Sequence, residues 1–447
     1  MAVTMLGTQA FMKARLNLAD GYSSKKSPRA VPWSVVAAYV AGRRSRGRII
    51  VIGEQIARLR SAAHLTQDQL AERAGISVDV IRRLEQGVRH SARLNTLTKI
   101  ASALGAELSV IIAPRTTFAP EPDRGIPAIR EAITSSTVDQ LGGLAESDAD
   151  FDLTRLAASV DSAWHIWQRG EYSILGRLLP DLIAEARHAS RESTGIDQEH
   201  AFSLLATVFE LAAGVTVMLG HEDLAWLSTE RAVAASEHCA DEVTKASAVY
   251  WAAWILRRQG RFRESLTAAT RAAETHEPRM SRATPAQLTV WGGLLINAAG
   301  AAARDDRAGT ATDLLAFART AAVRLGQDRV DRWSVFGPRL VAQSAVINAT
   351  ELGDFDTAVR LSAEVDATRS RVPVTWESRY LLALAQAQAE LGQDIPATET
   401  LYKTRRLTPE WIRYHRLARD LTAELTTRIP AGRKPELDEL SRHLLMT

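Results

Sequence analysis

A chain of 447 residues, 46% of them hydrophobic, is too long for one small domain and too apolar to be disordered throughout. Its single cysteine, Cys239, excludes a disulfide framework and a cysteine-based zinc site, and favours the reducing cytoplasm. The net charge of +3 hides a segregation: residues 1–115 carry 18 Lys and Arg against 7 Asp and Glu, and the remainder 37 against 45, so only the N-terminal end is expected to attract phosphates.

Residues 1–50 read as a basic, poorly ordered extension. Its run GRRSRGR (Gly42 to Arg48) stands where an arm touching the DNA backbone would lie. The apolar stretch Val31 to Gly42 is too short to span a bilayer and starts too late for a signal peptide, so no membrane partner is expected. IGEQIARLRSAAH (Ile52 to His64) predicts a first helix with Ile56, Leu59 and Ala63 on one face. LTQDQLAERAGISVDVIRRLEQG (Leu65 to Gly87) then predicts two short amphipathic helices about a glycine turn. Thr66 caps the first, Leu70 and Ala71 face inward, and Gly75 reaches positive φ. Ser77 caps the second, Ile81 and Leu84 form its buried stripe, and Gly87 ends it.

The outward face of that second helix carries Val78, Asp79, Arg82 and Arg83, set side by side by i,i+4 spacing. These four are the expected base readers. Arg82 or Arg83 can chelate O6 and N7 of guanine, Val78 offers methyls to thymine, and Asp79 accepts from the cytosine N4 amine. Gln67 with the N-terminus of its helix, Ser77, Arg89 and Arg93 are the expected phosphate contacts.

Residues 51–113 resemble the phage-repressor-like helix-turn-helix family often called XRE, with SARLNTLTKIASALG (Ser91 to Gly105) similar to its closing helices through Leu94, Leu97, Ile100, Ala101 and Leu104. The resemblance implies a lambda-repressor-like domain that binds double-stranded DNA as a homodimer. It also implies an ion pair between Arg60 and Glu85, which stand where that family often places an arginine and a glutamate.

Residues 114–150 read as a linker, with prolines and a glycine concentrated in TFAPEPDRGIPAIREAI (Thr117 to Ile133) and a short helix before a turn. From residue 151 to 447 the pattern is helical and repeats. Gly170, Gly260 and Gly353 are each followed two residues later by Tyr172, Phe262 or Phe355, with weaker copies at Gly220, Arg307 to Gly309 and Gly392. The centres lie about 39 to 50 residues apart, longer than the ~34 of a standard tetratricopeptide repeat, and predict about six lengthened helical hairpins stacked into an α-solenoid. No strand alternation suggests a sheet, so the expected fold is all-α.

Nine of the ten tryptophans fall in this region, several on first helices of hairpins. Trp251, Trp254 and Trp291, with Asn297, Arg339 and Gln343, are the candidate lining of a concave ligand groove, against the simpler reading of each ring as core packing. WGGLLINAAGAAARDDRA (Trp291 to Ala308), FGPRLVAQ (Phe336 to Gln343) and PEWIRYHRLARDL (Pro409 to Leu421) are similar to segments of actinobacterial XRE-type regulators with a tetratricopeptide-like domain. That resemblance implies transcriptional regulation and, through distant relatives, a peptide or small-molecule effector. A DNA-tethered scaffold that recruits a protein partner, or an antitoxin-like autorepressor, are the other readings of the same architecture. No phosphate loop, HExxH, GxSxG or cluster of Cys and His is present, so no enzyme, cofactor or metal is expected; neighbouring His238 and Cys239 point about 100° apart on a helix.

Overall fold

Short, well-capped helices at the N-terminal end and long alanine-rich ones beyond it build two separate cores. The computed structural model describes residues 52–87, 92, 94–106, 111, 125–142, 151–368, 370–430 and 434–444. The basic extension, the linker before residue 125, Arg89 and Arg93 lie outside the described residues.

The first core joins α1 (Ile52–Ala62), α2 (Gln67–Ala74), α3 (Val78–Glu85) and α4 (Leu94–Ala103). Ile56, Leu70, Ile81, Leu84 and Ile100 are fully buried at its centre. Leu59 is half-buried, and Ala63 is exposed rather than inward, because α1 ends at Ala62 and His64 turns the chain at φ 54°. Helices α1 and α3 cross at Gly53, where an added Cβ would stand 1.8 Å from the Leu84 carbonyl oxygen.

Part of the expected linker packs instead as α5 (Ile126–Gly142), whose Ile126, Ile129 and Ile133 enter the second core. Arg187 and Arg231 donate to the Ile133 carbonyl and hold it there. Six helical hairpins follow among the described residues: α6 (Leu153–Arg169) with α7 (Tyr172–Glu192), α8 (Gly195–Met218) with α9 (Glu222–Ser236), and α10 (Glu242–Arg258) with α11 (Phe262–Thr275). Next come α12 (Pro285–Arg304) with α13 (Ala308–Leu325), α14 (Pro338–Leu352) with α15 (Phe355–Ala367), and α16 (Val374–Glu390) with α17 (Asp394–Leu407). Helices α18 (Pro409–Arg413), α19 (Arg416–Arg428) and α20 (Pro435–Leu444) close the chain. The glycines between paired helices take positive φ, 76° at Gly170, 78° at Gly260 and 75° at Gly353, which lets helix pairs reverse within two residues.

Helix α8 is apolar enough to cross a membrane by composition, but 89% of its apolar window is buried inside the protein, as for a central core helix. Small residues let neighbours approach closely. At Gly293 a Cβ would meet the Tyr250 ring of α10 at 2.9 Å, and at Gly292 it would collide with Phe336.

The first helices of the hairpins touch in succession, α6 to α8, α10, α12, α14 and α16, and α16 then returns to α6. The array is therefore a closed ring. Thr375 donates to the Gln168 carbonyl at 3.1 Å, the Ser173 amide donates to Glu410 at 2.7 Å, and the rings of Tyr172 and Tyr414 meet edge to face at 5.6 Å. Trp411 fills the seam against Gly170.

One element departs from the helical pattern. Between α13 and α14 the chain forms a two-stranded antiparallel hairpin, β1 (Arg329–Asp331) with β2 (Ser334–Phe336), pairing Asp331 with Ser334. Its two-residue turn places Arg332 and Trp333 at φ 47° and 60°, the twist of a type I′ turn that Asn-Gly usually supplies. Tertiary contacts hold it there. Arg332 donates to Ser203 and Asp241, both at 2.9 Å, and Trp333 stacks on Trp164 of α6 at 5.4 Å. The tip thus reaches across to the opposite side of the ring.

Candidate nucleic-acid interface

Local hydrogen bonding fixes where α2 and α3 begin. Thr66 and Gln69 form a reciprocal capping box on α2, the Thr66 hydroxyl accepting from the Gln69 amide at 3.1 Å and the Gln69 side chain from the Thr66 amide at 2.8 Å. Gly75 ends α2 in the left-handed conformation, and Ser77 caps α3 by accepting from the Asp79 amide at 3.3 Å. With Ile81 and Leu84 buried, α3 turns Asp79, Arg82 and Arg83 to solvent, and Val78 is half-buried beside them.

The four expected readers do come together on one exposed face, but their guanidiniums are not equivalent. Arg82 donates to Asp79 at 2.8 Å on the same helix, whereas Arg83 makes no ion pair or hydrogen bond with any other described residue. Among the described residues the Arg83 guanidinium is therefore unengaged, while Asp79 sets the direction of Arg82. An Arg83→Ala variant is expected to lose about 1–3 kcal/mol of discrimination at one base pair, the usual worth of a bidentate contact. Binding to a panel of single-base operator variants measures it; a uniform loss over all sequences would make Arg83 a backbone contact instead.

Behind this face, Arg60 grips Glu85 with two hydrogen bonds, Nε to Oε1 at 2.7 Å and Nη2 to Oε2 at 2.8 Å, and donates a third to the Leu65 carbonyl at 2.8 Å. Gln67, expected on a phosphate, sends its side-chain amide to Glu85 Oε2 at 2.7 Å. One carboxylate thereby ties α1, α2 and α3 together, and Gln67 keeps only its backbone amide, at the α2 N-terminus, for an anion. Burial alone would raise the Glu85 carboxyl, yet the hydrogen bonds from Arg60 and Gln67 outweigh it and hold the group below the usual carboxylate range. The Glu85 hydrogen bond correspondingly keeps Arg60 protonated.

Residues 51–110 match the family described as a helix-turn-helix domain. A stretch of 67 residues is 36% identical to the immunity repressor protein of Bacillus phage phi105, covering 15% of this chain and 46% of that protein, so the chain spans about half the length of that relative. Among solved structures, PlcR of Bacillus thuringiensis, determined in complex with the peptide PapR7 and DNA, is similar over 62% of this chain and 96% of its own, at 17% identity and a TM-score of 0.28. Among the described residues the fold is helical apart from the β1–β2 hairpin, with a helix-turn-helix domain at the N-terminal end. Beyond that domain it is a helical-repeat array of tetratricopeptide-like hairpins.

The six expected groove residues do not share one open surface. The Trp291 indole donates to the Ala273 carbonyl of α11 at 2.9 Å, toward the second helices. Arg339 and Gln343 both bind Glu377, and Gln343 is fully buried. Asn297 is buried between Arg257 and the Tyr250 carbonyl, at 2.9 and 3.0 Å. Trp251 is buried in a cluster with Trp164 and Trp167, and only Trp254 of the three tryptophans stays half-buried. Arg258 at the end of α10 and Arg379 on α16 gave no signal in the sequence, since a lone basic residue on a helix reads as dipole complementarity or solvated surface.

Proposed function

We propose that the chain is a sequence-specific DNA-binding transcriptional regulator, with Val78, Asp79, Arg82 and Arg83 reading bases and Ser77, the α2 N-terminus, Arg89 and Arg93 engaging phosphates. The observation that carries this reading is the exposed face of α3, presented by a helix whose start is capped and whose back is locked to α1 and α2 through Glu85. The match to helix-turn-helix domains and the likeness to a phage immunity repressor support it.

One such domain covers a half-site, so the regulator acts as a homodimer on a palindrome with half-sites about 34–36 Å apart. The helical ring senses an effector and modulates that binding, in the cytoplasm. Footprinting of genomic fragments with the purified chain tests the proposal. Protection of a pseudopalindrome, with affinity well above that for bulk DNA at the same salt, is the expected result. Protection without sequence preference would overturn it, and a single protected half-site would overturn the dimer.

A further inference from the structure

Four arginines on three of the ring's first helices lie close enough to act on one another's charge. Arg257 and Arg258 end α10, Arg304 ends α12, and Arg379 stands on α16. Arg257 is fully enclosed, lies over Gly300 and donates to Asn297. Arg304 pairs with Glu351 through Nη2, while its Nε is buried with no partner. Arg258 stands 6.0 Å from the Trp254 ring centroid, with no hydrogen bond or ion pair among the described residues. It is exposed to solvent, and Arg304 opposes its charge while Tyr172 and Glu222 support it. Arg379 is half-buried and likewise has no hydrogen-bonded or ion-paired partner among the described residues.

The guanidiniums feel one another. Burial, and then Arg304 and Arg258, push Arg379 down to about 10. Burial, followed by Arg379 and Arg304, lowers Arg257. His415 is held neutral by burial and by Arg258, Arg379 and Arg419. Glu351, already bound to Arg304, is the acid that acts on both Arg257 and Arg379. An excess of like charge in an enclosed space opposes folding unless something of opposite sign enters. Guanidiniums in this setting suit bidentate recognition of phosphate or carboxylate.

We propose that the lumen of the ring, lined by Arg258, Arg304 and Arg379 beside Trp254, is a binding site for a small polyanion bearing phosphate or carboxylate groups. This rests on the reading of the ring as the effector-sensing part of a regulator, and names the chemistry of its effector. Calorimetric titration and thermal unfolding of the full chain with inorganic pyrophosphate, and separately with citrate, test it and distinguish the two anion sources. Saturable binding and a rise in Tm with ligand concentration are expected for at least one probe. Arg379→Gln and Arg258→Gln should each weaken it about tenfold or more, given the strength of charge-assisted hydrogen bonds. Arg263→Gln, which removes an exposed arginine of α11, should bind as the wild type does. Without ligand, Arg379→Gln should melt no lower than the wild type, since it removes a repelled charge.

Absence of saturable binding by both probes, or equal affinity in all three variants, would overturn the site; if Arg379→Gln fails to fold, Arg258→Gln decides. A wild-type chain that binds pyrophosphate but prefers no DNA sequence would leave the lumen site standing and defeat the regulator reading.

Discussion

Replacing Arg60 with alanine is expected to unfold the helix-turn-helix domain while the helical ring stays folded. The Glu85 side chain is only 6% exposed and that of Arg60 17%, so the variant strands a carboxylate with Gln67 and no cation. Removing one member of a buried pair costs about 3–5 kcal/mol. At the usual ~0.05–0.15 kcal/mol per residue, a domain of about sixty residues has only about 3–9 kcal/mol to lose. Scanning calorimetry should show the two cores melting separately, with the transition of the small domain lost or shifted far down and specific DNA binding lost with it. Arg60→Met combined with Glu85→Leu should recover much of the stability, because an apolar pair of similar volume avoids the stranded charge.

The same pair sets a pH dependence. Glu85 titrates lower in the folded domain than in the unfolded chain, so its contribution is fully present above the unfolded value of about 4.3 and is lost as pH falls through the folded one. An Arg60→Ala domain that binds its operator normally would show the three-way tie to be dispensable.

The second large effect is expected at the seam of the ring. Trp411 is 4% exposed, lies against His415 at 3.7 Å between ring centroids with the planes tilted by 35°, and packs so tightly on Gly170 that an added Cβ would sit 2.8 Å from the Trp411 Cβ. Trp411→Ala is expected to cost about 3–5 kcal/mol, the range for truncating a buried tryptophan. Because the seam joins residues more than two hundred positions apart, the damage should spread. A lower Tm together with a larger radius of gyration by small-angle scattering would report an opened ring. Gly170→Ala should act in the same direction, through strain at φ 76° as well as the clash. An unchanged radius with an unchanged Tm in both variants would mean that the closure rests on α16 alone.

What could be read from the sequence was what local chemistry dictates. Thr66, Gly75 and Ser77 mark helix ends through bonds to residues two or three positions away, and Ile81 and Leu84 declare a buried stripe by spacing alone. The positive-φ glycines at Gly170, Gly260 and Gly353 likewise announce their turns. Features set by distant partners stayed hidden. Nothing near Arg332 and Trp333 signals a type I′ turn, because Ser203, Asp241 and Trp164 supply the stabilisation. Which faces of α10 and α12 look into the lumen was equally hidden, since both helices are apolar almost all round, and Trp291 turned toward α11. The short helix expected within residues 114–150 is α5, but that Ile126, Ile129 and Ile133 anchor it in the second core is set by partners far along the chain.

The return of α16 to α6 also bears on how such a chain can change over time. An open solenoid tolerates the gain or loss of a hairpin, since each unit touches only its neighbours and the ends are free. A ring of six first helices must turn through a full circle in six steps, about 60° each on average. A five-hairpin descendant would leave the seam unmet, and a seventh hairpin would have to displace Trp411 from Gly170. Repeat number is therefore a locked quantity in this protein, since adding or removing one rung breaks the circle.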